Sequence, residues 1–332
     1  MNIRRIAIPI FALLLSPFAP GQQAPASGDE IGPSARVEAN AASVFKQQLV
    51  RQIALQEEGL RKAEAAHATD VELARRYARL GVSYGNLAEW ARSEAAVEHA
   101  VSLVRHAPEQ SEELAGLLTQ LGSLHLAMGK LRDSEKEELE GLKLREKLGD
   151  RLQIARTYND LAELLLAQKK FDKARDIAQK AVAEFVENKQ ASVFDRIVAR
   201  SVLSMAMCYL KDCPSAIPLL KGVIDEAKTK LRPDDFPIGL SDFLLGYAYW
   251  KSGNMSEAGP HMQDGTAAMS RQLGWGHPAY LSALKHYEQF LRENRQVEAA
   301  DVIQRRIRQA EAVVDVHSIQ SAQGMIGIDG LH

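Results

Sequence analysis

Aromatic residues are scarce in this 332-residue chain, at 6%, and cysteine occurs only twice, at Cys208 and Cys213. Two cysteines make no disulfide framework, so stability must come from packing. There is no block of one charge. The 41 Lys and Arg are interspersed with 43 Asp and Glu, for a formal net charge of −2, which points away from nucleic acid. Metal motifs are missing as well: neither His-Glu-x-x-His nor Cys-x-x-Cys occurs, and the nine histidines are scattered. His99 and His106, seven apart, read as two surface side chains. No Gly-x-Ser-x-Gly turn is present, and Gly324, Gly327 and Gly330 precede no helix whose N-terminus would cradle phosphate. The adjacent carboxylates Glu112-Glu113 and Glu137-Glu138 read as solvated helix faces. The expectation is a non-enzyme with no metal and no cofactor.

What is abundant is Ala, Leu, Glu, Lys, Arg and Gln, residues that lose little rotamer freedom in a helix. The first residues follow a different pattern. Arg4 and Arg5 precede the apolar run Ile6 to Leu15, and Pro17 and Pro20 then lead into small residues, the layout of a secretory signal. Cleavage is expected after Gly21, or alternatively after Ala26. Ten apolar residues span roughly 15 Å as a helix, too little for a membrane anchor. Residues 22–42 read as a flexible leader, 43–312 as a helical repeat domain and 313–332 as a mobile tail with some strand character around Val314 and Val316. Within 44–66, Leu49, Ile53, Leu60 and Ala63 form one stripe, as a capping helix requires.

The repeat announces itself by register. Leu80-Gly81, Leu121-Gly122, Leu161-Ala162, Leu203-Ser204 and Leu245-Gly246 recur at intervals of 41, 40, 42 and 42, and the next step of 42 reaches Tyr287-Glu288. Ten residues after each marker stands an apolar residue: Trp90, Leu131, Phe171, Cys213, Met255 or Val297. Thirteen after it stands a small one: Ser93, Ser134, Ala174, Ala216, Ala258 or Ala300. This is a helix–turn–helix unit. The marker and its small neighbour lie on the inner stripe of the first helix, the apolar residue opens the second, and the small residue marks their crossing. One such pair cannot bury its apolar face alone, so neighbours must stack.

These residues carry a resemblance. Tyr77-x2-Leu80-Gly81-x2-Tyr84, the set Phe171, Ala174, Ala178 and Ala181, and Leu245-Gly246-x2-Tyr249 with Gly253 and Ala258 resemble the tetratricopeptide repeat. The interval exceeds the usual 34, and the linker Leu273-Gly274-Trp275-Gly276-His277-Pro278 is similar to the longer variant typified by kinesin light chains. The second repeat departs from the pattern, with Glu138 and Gly141 in place of an aromatic and Ala. The resemblance implies an all-α, right-handed superhelical solenoid of about six repeats with an N-terminal capping helix.

It further implies that the first helix of each repeat lines a concave groove. The groove residues carried over are Arg75, Asn86, Arg156, Asn159, Tyr209, Phe243, Tyr247, Trp250, Lys251, Lys285, Gln289 and Arg292. For Phe243, Tyr247 and Trp250 two readings stand, a core stripe and a ligand-facing one. The second is carried forward because Leu244, Leu245 and Ala248 already supply an inner face. Cys213 takes an apolar anchor position, which suits a small buried hydrophobe. A disulfide with Cys208 stays open, on condition that the Cα atoms come within about 7 Å. The expected function is a protein- or peptide-binding scaffold, periplasmic or secreted, with no nucleic acid and no membrane anchor after signal cleavage. The alternative is an anionic glycan or cell-wall fragment held by Arg75, Arg156, Lys285 and Arg292.

Overall fold

The computed structural model describes residues 33–325 except 88, 232–235 and 274–277, with nearly all side chains between 47 and 311. The signal segment and its cleavage point lie outside these residues. A long helix, α1 (Pro33–Ala65), is followed by six helical hairpins. Their first helices are α2 (Asp70–Asn86), α4 (Ser111–Ala127), α6 (Arg151–Ala167), α8 (Val193–Tyr209), α10 (Phe236–Lys251) and α12 (Pro278–Glu293). Their second helices are α3 (Trp90–Val104), α5 (Leu131–Leu148), α7 (Phe171–Glu187), α9 (Cys213–Lys230), α11 (Met255–Leu273) and α13 (Val297–Met325). No strand occurs among the described residues, and none of their helices is long and apolar enough to cross a membrane.

The sequence register maps directly onto these elements. Each apolar residue ten after a marker is the first residue of a second helix. All six small residues thirteen after it are buried, and the markers themselves, Leu80 to Tyr287, face the core. The small residue beside the marker sets how closely two helices approach. A Cβ on Gly81 would stand 2.5 Å from Val97 Cγ2, and one on Gly246 would stand 2.6 Å from the Met262 backbone nitrogen.

Eight residues after the marker, the hairpin turn takes a left-handed backbone in repeats two to six, at Gly129, Lys169, Lys211, Gly253 and Arg295. That conformation closes the first helix by returning the amide after it to an orphan carbonyl, as Lys130 N does to His125 O at 2.8 Å. Ser192 opens α8 with a reciprocal capping box to Asp195, and Thr69 and Asp150 cap α2 and α6.

Two boundaries differ from the sequence reading. The helix α1 starts at Pro33 rather than near residue 43, and α13 continues to Met325 rather than ending near 312. Neither Gly nor Pro interrupts 34–58 or 297–323, and an existing helix extends without the cost of a new nucleus. Residues 313–325 are therefore helical, not a strand. The stripe Leu49, Ile53, Leu60 and Ala63 is buried as in a capping helix, and the first three pack against α2 and α3.

The apolar core is uneven along the array. One cluster runs without a break from Ala162 in α6 to Ile307 in α13, while α1–α5 hold smaller ones. Between them, in α4–α6, the interior carries His125, Glu137, Glu138, Arg145, Asn159 and Glu163, all buried.

Candidate functional site

Curvature follows from which helices meet. Each first helix touches the first helix of the next repeat, from α2·α4 through α10·α12, whereas successive second helices have at most marginal contact. The first helices therefore line the inside of the superhelix and the second helices splay on the outside. The carried-over groove residues lie on these inner helices, but most are already engaged.

The aromatic stripe is core, not a ligand surface. Phe243, Tyr247 and Trp250 are 0%, 7% and 3% exposed. Gly265 of α11 leaves room for no more than a hydrogen against Phe243, whose backbone nitrogen would lie 2.5 Å from an added Cβ. Tyr247 meets His286 edge-on at 5.3 Å, and Trp250 meets Phe290 at 6.0 Å while donating Nε1–H to Glu293 at 2.7 Å. Adjacent inner helices press together here, so positions assigned to the groove become helix–helix contacts. His286, desolvated among them and close to Lys251, has its pKa lowered to about 4. Lys251 remains exposed, its ammonium 3.2 Å from the Trp250 ring centre, and Tyr209 stacks on Phe171 at 4.8 Å.

The predicted cations also have partners. Arg75 pairs with Glu113 on the next inner helix at 2.8 Å, and Arg156 grips Asp195 through two bonds of 2.9 Å. The Asp195 hydrogen bond raises the Arg156 pKa, while Arg156 and Ser192 hold Asp195 low against its burial. Lys285 binds Glu311 at 2.9 Å, and Arg292 binds Glu288 and Asp301. Asn159 is buried and donates to Glu163 at 3.0 Å. Gln289 donates to Glu293 on its own helix at 3.0 Å. What remains accessible inside is a narrow shelf along helix edges. It comprises the half-buried Asn86, Gly116 and Ala127, then Lys251. A Cβ on Gly116 would meet nothing within 4 Å.

Sequence reasoning missed the polar seam. Glu137 and Glu138 lie on no solvated face. Glu137 Oε2 is 2.6 Å from His125 Nδ1, and His125 Nε2 is 2.8 Å from Glu94 Oε1, which Lys130 also contacts. Glu98, one turn beyond Glu94 on α3, places its carboxylate within 4.8 Å of the Glu94 and His125 ligand atoms. Deeper in, both Glu138 oxygens and Glu163 Oε2 find no hydrogen-bond partner among the described residues. Burial, reinforced by Asp160, drives both carboxyls well above the usual range, and burial raises Asp160 itself to about 7. The signal was in the register. Seventeen residues after the marker stand Val97, Ala178, Leu220 and Met262, all buried, and Glu138 takes the same place in repeat two.

Cys208 and Cys213 form a disulfide across the α8–α9 turn, with Cα atoms 4.2 Å apart, so the pair left open by the sequence is joined. Cys213 is buried at the same time, as its anchor position requires.

Residues 113–183, covering α4 to most of α7, match the family model of the tetratricopeptide repeat. No curated protein matches the chain. Among solved structures, the Rap conjugation gene regulator of plasmid pLS20, in complex with the Phr* peptide, is similar at a TM-score of 0.65. It has 16% identity and covers 84% of this chain and 73% of its own. The apo form of RapI gives 0.64 at 11% identity, over 83% of this chain and 96% of its own. The kinesin light chain TPR-like repeats of Podosopora anserina give 0.48 at 16% identity, over 59% and 95%.

Proposed function

Because the chain is a tetratricopeptide-repeat protein whose inner helices form one continuous face, we propose that it holds an extended segment of another protein there, without catalysis. The observation carrying this reading is the open space at Gly116, on the same inner face as the amide of Asn86, while the neighbouring cations are paired. Small side chains let a peptide backbone come close, and amides such as Asn86 bond it without demanding a sequence. The Rap regulator of pLS20 shares the fold and is solved with a peptide. The anionic-glycan alternative is less well supported, because Arg75, Arg156, Lys285 and Arg292 each sit on a carboxylate already.

We further place this activity outside the cytoplasm, in the envelope or beyond it, on the signal-like pattern of residues 1–26. Fusing residues 1–42 to a reporter that is active only after export tests that part separately. For binding, a displayed library of random peptides is panned against the protein and against Gly116→Arg. The substitution improves helix propensity and its Cβ meets nothing within 4 Å, and an unchanged circular dichroism spectrum checks that the variant folds. Enrichment by the parent and at least tenfold less by the variant is expected. No enrichment, or equal enrichment by both, overturns the assignment.

A further inference from the structure

We infer that Glu94, Glu98 and His125 form a binding site for one divalent first-row metal cation, with zinc the best match. The argument begins with α3, where Glu94 and Glu98 are four residues apart and therefore share a face. That face meets the end of α4, which brings in His125. One ligand atom from each residue lies within 4.8 Å of the others, and the Glu94–His125 contact is already 2.8 Å. Around an ion with bonds of about 2.1 Å, tetrahedral ligand atoms stand about 3.4 Å apart. Small side-chain rotations at the exposed Glu98 close that difference.

The histidine is aimed by a fourth group from another helix. Glu137 of α5 holds Nδ1 at 2.6 Å, which leaves Nε2 directed at the Glu94–Glu98 side. A buried imidazole with one nitrogen fixed by a carboxylate and the other offered to acidic ligands is the arrangement that orients histidines on metals. Glu98 supplies a separate indication. It makes no side-chain hydrogen bond or ion pair among the described residues, although a neighbouring lysine is within reach of its field.

Charge points the same way. Three carboxylates, those of Glu94, Glu98 and Glu137, stand against one ammonium, that of Lys130, and one imidazole, and an ion bound at Nε2 takes the place of the imidazole proton facing Glu94. One imidazole with carboxylates and no thiolate suits zinc, manganese or ferrous iron rather than a soft monovalent ion. Lys130 is 40% exposed, so its ammonium can swing off Glu94 into water when the ion arrives.

The test uses the full chain freed of metal by chelation and titrated with Zn2+ by calorimetry, and with Co2+ by visible absorption. One equivalent is expected, with Co2+ bands showing a nitrogen ligand. Glu98→Gln removes a ligand yet breaks no contact, so it should weaken affinity at least tenfold and leave the metal-free melting temperature unchanged. Glu137→Gln should weaken it about 10- to 100-fold, the range for a group that orients a ligand. Lys130→Ala should tighten it. Absence of stoichiometric binding, or Glu98→Gln binding as tightly as the parent, overturns the site and leaves a His125–carboxylate cluster that only braces the helices.

Discussion

Gly122 and Glu138 meet across the α4–α5 crossing so closely that a Cβ on the glycine would stand 2.9 Å from Glu138 Oε1. The same pairing is Gly81 with Val97 in repeat one and Gly246 with Met262 in repeat five. A carboxyl group thus occupies the place that an apolar side chain holds in those repeats, with both oxygens lacking partners. Glu138→Met, which copies the fifth repeat, should stabilise the protein by about 1–3 kcal/mol, since a buried polar group without a hydrogen bond costs about that much. A urea melt at neutral pH measures it. A loss of stability would mean that the carboxyl has a partner in solution.

The seam also sets a pH dependence. Glu138, Glu163 and Asp160 have folded pKa values raised by burial, Asp160 to about 7. A raised carboxyl binds its proton more tightly when folded. Its contribution is complete below the unfolded value near 4 and is lost as pH climbs through the folded one. His286, lowered to about 4, acts in the opposite direction and is lost as pH falls from about 6.5. Asp195 and Glu226, both held low by arginines, lose their contribution in stronger acid. Urea midpoints should therefore fall between pH 5 and 8, and Glu138→Gln with Glu163→Gln should flatten that slope. An unchanged slope in the double variant would remove these two carboxyls as its source.

The left-handed turn residues make a third case. Lys169, Lys211 and Arg295 adopt the backbone that Gly129 and Gly253 adopt elsewhere. A side chain costs about 1 kcal/mol in that conformation, partly offset by the greater freedom of glycine when unfolded. Each change to Gly should be neutral to stabilising by up to about 1 kcal/mol, and Gly129→Ala or Gly253→Ala destabilising by a similar amount. Denaturation of the five variants under one condition tests the series.

Arg156 and Asp195 tie α6 to α8, and Asp195 also closes the capping box of Ser192. Asp195→Ala should cost about 1 kcal/mol more than Arg156→Ala, the typical value of a cap. The double variant should show coupling in a mutant cycle. Equal single costs would mean that the cap contributes nothing measurable.

Much of the fold was legible because it repeats. A single register located the starts of all six second helices and their buried small residues. What it did not reveal were relationships between repeats. The partner of Arg156 is 39 residues away, so periodicity within one helix shows a charge but not its counterion. The aromatic stripe on α10 failed for the same reason: its covering surface comes from α11 and α12. Glu138 was visible as a departure from pattern, yet its neighbour Glu137 gave it the look of a solvated pair.

The thinning of the apolar interior between α5 and α6, where the small cluster of Leu126, Leu161 and Leu164 shares the space with buried polar groups, has a mechanical corollary. An array held by nearest-neighbour stacking parts where adjoining units share least oil-like surface, so tension applied through the termini should detach the early hairpins together before the later block yields. A two-step force–extension trace is the signature of such a weak seam.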